Sequence, residues 1–192
     1  MCKFILASQS PRRVDLLTEA GYAFAAIPAI VDEAHDPELS PPELTCANAK
    51  LKALTVSHQH PKATVLGADT LVYVDGEPLG KPVDMTEAVA MLQRLVGRSH
   101  QVCTGVALCR QAPALEVRFH VITNVTFHPL TKQEIKSYLA KINPLDKAGG
   151  YAAQDHGSDI IANIKGSWTN VVGLPMEALT QELNSLNIVG TI

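Results

Sequence analysis

An apolar run, Phe4-Ile5-Leu6, gives way at once to Ala7-Ser8-Gln9-Ser10-Pro11-Arg12-Arg13. No other stretch constrains the chain as much, because it reads as a strand turning directly into a helix. Ser10 is suited to cap that helix, Pro11 fits its first turn, and Val14, Leu16 and Leu17 carry an apolar stripe onward. The same turn is chemically useful. A helix N-terminus presents unpaired N–H groups and the positive end of its dipole, which suits a phosphate, and two arginines add forked donors. A capped helix with two solvated arginines would read the same way, so this segment alone leaves both readings open.

Strand and helix signals alternate from there. Lys3–Ala7 reads as a strand, Pro11–Ala20 as a helix ending at Gly21, and Tyr22–Pro28 as extended chain. Ser40-Pro41-Pro42-Glu43 has the form of a capping box and opens a helix expected to reach about Val56; Asp84-x-x-Glu87 and Thr131-x-x-Glu134 repeat the form before Ala88–Val96 and Ile135–Ile142. Ala63–Gly67 reads as a short buried strand, and Leu71–Val74 as another running into the turn dipeptide Asp75-Gly76. His100–Arg110 and Leu115–Phe127 form a long extended pair, and a last helix follows Pro175. The alternation predicts one α/β domain over residues 1–192, with a mixed sheet, flanking helices and two lobes around a cleft.

Composition narrows the partners. The 192 residues are 46% hydrophobic and 18% charged, ordinary for a globule able to bury a core. A formal net charge of −3 gives no basic field to draw nucleic acid, so any anion site must be local. No apolar stretch is long enough to span a membrane, and the amino end lacks the pattern of a signal peptide, so no membrane partner is expected. Cys2, Cys46, Cys103 and Cys109 contain no Cys-x-x-Cys pair, which fits free thiols and a cytoplasmic location.

The acidic candidates are Asp69, in Gly67-Ala68-Asp69-Thr70 at what reads as a strand end, and the pair Asp32-Glu33 on a loop. Carboxylates so placed can bind a metal or activate water, although a turn aspartate that caps backbone looks alike. Lys81 sits in the rigid turn Gly80-Lys81-Pro82. Lys50 and Lys52 share a helix but are two apart, so only one can face a given site. Asp146–Gln154, with two glycines inside it, and the glycine-flanked Gly166–Pro175 are poor core builders and good ligand walls. The seven histidines form no metal-spaced pair, and neither Gly-x-Ser-x-Gly nor a Walker loop is present. Cations near a helix start, acids near strand ends and polar loops together suit a metal-assisted reaction on a phosphate ester or anhydride.

Six segments in order complete the reading: Ala7–Arg13, Gly67–Thr70, Gly80-Lys81-Pro82, Thr104-Gly105-Val106, Lys147–Tyr151 and Asn170–Pro175. Together they resemble the Maf family of nucleoside triphosphate pyrophosphatases over nearly the whole chain. The resemblance implies a fold like the inosine triphosphate pyrophosphatases and cleavage of a nucleoside triphosphate to monophosphate and pyrophosphate with Mg²⁺ or Mn²⁺. It puts the catalytic aspartate at Asp69, with Glu33 its partner at the metal, and phosphate contacts at Ser8, Arg13, Lys52 and Lys81. The positions that divide the family by substrate carry Arg12, Thr70 and Gln154, which look like the dTTP/UTP branch; the rival branch acts on 7-methyl-GTP. A house-cleaning enzyme for modified pyrimidine triphosphates, which share the uracil edge, reads the same way in the sequence. A non-catalytic nucleotide-binding regulator of septum formation is the reading from another class, and Asp69 with Glu33 argues against it. The expected partner is the nucleotide, with monomer and homodimer both left open.

Overall fold

The computed structural model of the chain describes residues 3–191; Met1, Cys2 and Ile192 lie outside them, and with them the free thiol expected at Cys2. Strand β1 (Phe4–Leu6) is buried on both faces, and the twofold alternation of a strand divides its side chains. Phe4 and Leu6 enter one apolar cluster, Ile5 and Ala7 another. Helix α1 (Pro11–Glu19) begins where the Ser-Pro pair predicts, but the Ser10 hydroxyl makes no cap. The Ser10 amide instead donates to Ser8 Oγ at 3.1 Å, so the turn is closed by the hydroxyl two residues earlier.

Of the extended chain expected at 22–28, only β2 (Ala25–Ala26) pairs, in parallel with β1. Helix α2 (Pro41–Gln59) opens on its capping box, with the Glu43 carboxylate accepting from the Ser40 amide at 2.9 Å, and runs past Val56. The two strands expected around Asp69 are one continuous strand, β3 (Thr64–Val74). Hairpin partner β4 (Glu77–Leu79) follows Asp75 and Gly76, whose φ values of 55° and 82° match the two-residue turn that the dipeptide signals.

Then come α3 (Met85–Leu95), β5 (Ser99–Arg110), β6 (Leu115–Phe127), α4 (Lys132–Leu139), β7 (Ile161–Lys165), α5 (Trp168–Val172) and α6 (Met176–Ser185). The cap residues Asp84 and Thr131 accept from the amides of Glu87 and Glu134. Both helices therefore start one residue after the cap, a turn earlier than their apolar stripes suggest, because a cap fixes the first turn whatever its polarity.

The strand order is β2-β1-β3-β5-β6-β7, with β4 on β3. β1 is parallel to β2 and β3, whereas β4 and β7 run antiparallel to β3 and β6, so the sheet is mixed as expected. β7 has no clear strand signal in the sequence. It is a largely exposed strand whose pairing slips between Thr126 and Phe127, and its polar residues give no clean alternation.

The chain divides into two compact units. One takes the chain up to Asp69, Thr104–Val121 and the chain from Gly173 on; the other takes Thr70–Cys103 and Ile122–Val172. In the first, Leu17 of α1 and Leu179 and Leu183 of α6 pack with Phe4, Leu6 and Leu66, while Ala49, Ala53 and Val56 of α2 pack with Ile5 and Val65. In the second, Leu92 and Leu95 of α3 and Ile135 and Leu139 of α4 pack with Val72, Val125 and Phe127. Among the described residues no helix is long and apolar enough to cross a membrane.

Candidate active site

Helix α2 lies so close to β3 that Gly67 has no room for a side chain. A Cβ there would collide with the Ala49 carbonyl and stand 2.8 Å from the Ala53 amide. Because side chains alternate along a strand, Asp69, two residues on, faces the same helix, while Ala68 turns into the opposite cluster. On α2, Asn48 and Lys52 are four apart and share one face. The close approach brings both onto the carboxylate.

Asp69 is only 6% exposed, and both of its oxygens are engaged. Lys52 Nζ donates to Oδ1 at 2.8 Å and Asn48 Nδ2 donates to Oδ2 at 3.2 Å. A buried carboxylate requires such donors, since an unpaired one would neutralise itself instead. The Lys52 ammonium also reaches Glu33 Oε1 at 2.9 Å, so a single cation stands between the two acids. Lys50, the competing lysine, points away and pairs with Glu116 at 3.0 Å. The helix-borne cation of this site is Lys52.

Arg13 reaches the same place from α1. Its Nη1 donates to the Ala68 carbonyl at 2.9 Å and to Ser8 Oγ at 3.2 Å, and its Nε to the Gly173 carbonyl at 3.0 Å. Lys52 Nζ lies 3.4 Å from that same Ala68 carbonyl, so guanidinium and ammonium converge on the backbone just before Asp69. Burial lowers the Arg13 pKa and neighbouring Arg12 adds to that, while Asp69 and Glu33 pull it back up. A guanidinium starts so high that it stays cationic. Arg12 is half-buried beside it.

Ser8, Arg13, Glu33, Lys52 and Asp69 thus belong to the first unit. Thr70, Lys81 and Gln154 belong to the second. Thr70 is half-buried on β3, Lys81 is exposed in the turn after β4, and Gln154 is exposed just beyond the buried run Tyr151–Ala153. Two features departed from expectation. Asp69 lies within a strand rather than at its end, because Gly67 marks a close helix approach and not a chain break. Asn48 was missed altogether. Its Oδ1 accepts from the Ala34 amide at 2.8 Å and its Nδ2 donates to the Ala34 carbonyl at 3.2 Å, so one amide holds both the Glu33 loop and Asp69. The available signal was its spacing of four from Lys52.

The donor set fits a hard divalent cation in part. The Glu33 and Asp69 carboxylates offer hard oxygen donors gathered on one ammonium, and oxygen donors are the chemistry such ions take. Among the described residues no group of three or more His, Cys, Asp and Glu forms a fuller cage. Any ion held here would need further oxygens from water or from a phosphate.

Residues 3–186 match the family of Maf-like proteins. The chain is 46% identical over 182 residues to a dTTP/UTP pyrophosphatase of Akkermansia muciniphila, covering 95% of each chain. It is 49% identical to a dTTP/UTP pyrophosphatase of Symbiobacterium thermophilum, with 95% of this chain and 93% of that one covered. A dTTP/UTP pyrophosphatase of Bacillus cytotoxicus is 44% identical, with 97% of each covered. Among solved structures, the Staphylococcus aureus Ham1 protein superposes with a TM-score of 0.55 at 16% identity, covering 95% of this chain and 98% of that one. That likeness establishes a shared fold.

Proposed function

The chain belongs to the Maf family, and from that premise we propose that it hydrolyses dTTP and UTP, to the nucleoside monophosphate and pyrophosphate. The observation that carries the reading is the Asp69 carboxylate, buried within β3 yet held by Lys52 and Asn48 beside Arg13 and Ser8. A water oxygen bonds to the α-phosphorus, the bond from that phosphorus to the bridging oxygen breaks, and pyrophosphate leaves with the electron pair. Asp69 accepts the water proton. The substrate brings about four negative charges, so an anionic base can work only where cations gather. Ser8, Arg13, Lys52 and Lys81 supply those contacts. Glu33 and Asp69 would hold a Mg²⁺ or Mn²⁺ ion, which when bound neutralises phosphate charge.

Base choice falls to Arg12, Thr70 and Gln154. The uracil edge presents acceptor, donor and acceptor, and the Gln154 amide can both donate and accept. Thymine presents the same edge, so both nucleotides serve. The experiment is pyrophosphate release from UTP, dTTP, CTP, GTP and 7-methyl-GTP by purified protein, with and without Mg²⁺, for wild type and Asp69→Asn. UTP and dTTP should lead, and Asp69→Asn should lower their turnover by about 10²–10⁴-fold with the fold intact. A preference for 7-methyl-GTP would reject the branch; an active Asp69→Asn variant would reject the base.

A further inference from the structure

The segment that ends at Gln154 is anchored from three sides within the second unit. Gly149 and Gly150 adopt φ values of 70° and 72°, and the Gly149 amide donates to the Gly80 carbonyl at 2.9 Å, tying the segment to the turn that carries Lys81. The Tyr151 hydroxyl bonds His100 Nε2 at 2.9 Å, with Phe127 edge-on to both rings. From α4, the Tyr138 hydroxyl donates to the Ala152 carbonyl and accepts from the Ala152 amide, both at 3.0 Å. One side chain thereby serves Ala152 as a neighbouring strand would. Tyr138 is 2% exposed, and burial pushes its pKa up to about 12, so the hydroxyl remains a neutral donor. Residues Tyr151 to Ala153 are buried, whereas Gln154, Asp155 and His156 are exposed, so the anchored part of the segment stops at the residue before Gln154.

We propose that Tyr138 is a positioning residue for base selection, its hydroxyl fixing the Ala152 backbone so that the Gln154 amide is presented in one place. The proposal rests on the reading of Gln154 as the residue that reads the uracil edge. Recognition by an amide tolerates errors of only about 0.5 Å in the group that carries it. Tyr138→Phe keeps the ring in the core and removes both bonds to Ala152. The segment can then shift while the phosphate contacts of the first unit stay as they are.

The test compares kcat/KM for UTP and GTP, whose bases differ in edge and in size, in wild type, Tyr138→Phe, Tyr151→Phe and Gln154→Ala, alongside melting temperatures. Tyr138→Phe should lower the UTP-to-GTP ratio about tenfold, through a higher KM for UTP. Tyr151→Phe should move the ratio the same way by less, and it decides the matter should Tyr138→Phe not fold. A lower melting temperature with an unchanged ratio, while Gln154→Ala does reduce the ratio, makes Tyr138 a structural anchor only and overturns the proposal. An unchanged ratio in Gln154→Ala rejects the base-reading role itself, and this proposal with it.

Discussion

Asn48 shows how much a single amide can organise. Its three hydrogen bonds join Asp69 to the amide and the carbonyl of Ala34, the residue after Glu33. Deleting one partner of a buried hydrogen bond costs about 1–3 kcal/mol, because the group left behind has lost water as well. Asn48→Ala should therefore destabilise the protein by about that much. It should also slow UTP turnover by about tenfold or more, since misplacing a reacting group by a fraction of an ångström is felt in the rate. Thermal unfolding and steady-state kinetics check the two effects together. Full activity would show that Lys52 alone suffices to aim Asp69.

At the scale of elements, the decisive contact is α2 on β3. It exists because Gly67 lacks a side chain, and it sets how Asn48 and Lys52 meet the strand. Gly67→Ala forces the helix outward, an overpacking that costs about 1–3 kcal/mol or more. It should therefore lower both melting temperature and kcat. Gly76→Ala is the control: a Cβ there meets nothing within 4 Å, but φ is +82°, so only a conformational cost of about 1 kcal/mol applies. That variant should melt earlier and keep full turnover. Equal loss of activity in the two variants would mean that the rate follows stability rather than the α2–β3 contact.

For the molecule as a whole, acid sensitivity has a structural source in the second unit. His100 is 2% exposed, and burial alone lowers its pKa to about 4. In the unfolded chain it titrates near about 6.5, so there the proton binds first. The contribution of neutral His100 is fully present above about pH 6.5, declines as pH falls, and is lost below about pH 4. The loss approaches about 3 kcal/mol at most. A His100→Gln variant should show a flatter dependence of melting temperature on pH between 6.5 and 4 than wild type does. Parallel curves would place the sensitivity elsewhere.

What could be read along the chain was what depends on near neighbours. Ser40, Asp84 and Thr131 declare the starts of three helices, because a cap acts within one turn. Asp75-Gly76 declares its hairpin through the positive φ that both residues must adopt. Asp69, Lys52, Glu33, Arg13 and Ser8 were legible as candidates through chemistry and motif order. Their assembly was not. Lys50 and Lys52 are equivalent in sequence, and only the packing of α2 decides that one meets Glu116 and the other Asp69. The small Gly67 leaves room for a close approach at what reads as a strand end, but only the packed chain makes the strand run on and puts α2 in that room. Asn48 and Tyr138 carry no motif, since each matters for a partner distant in sequence, and such pairings come into being only when the chain has packed.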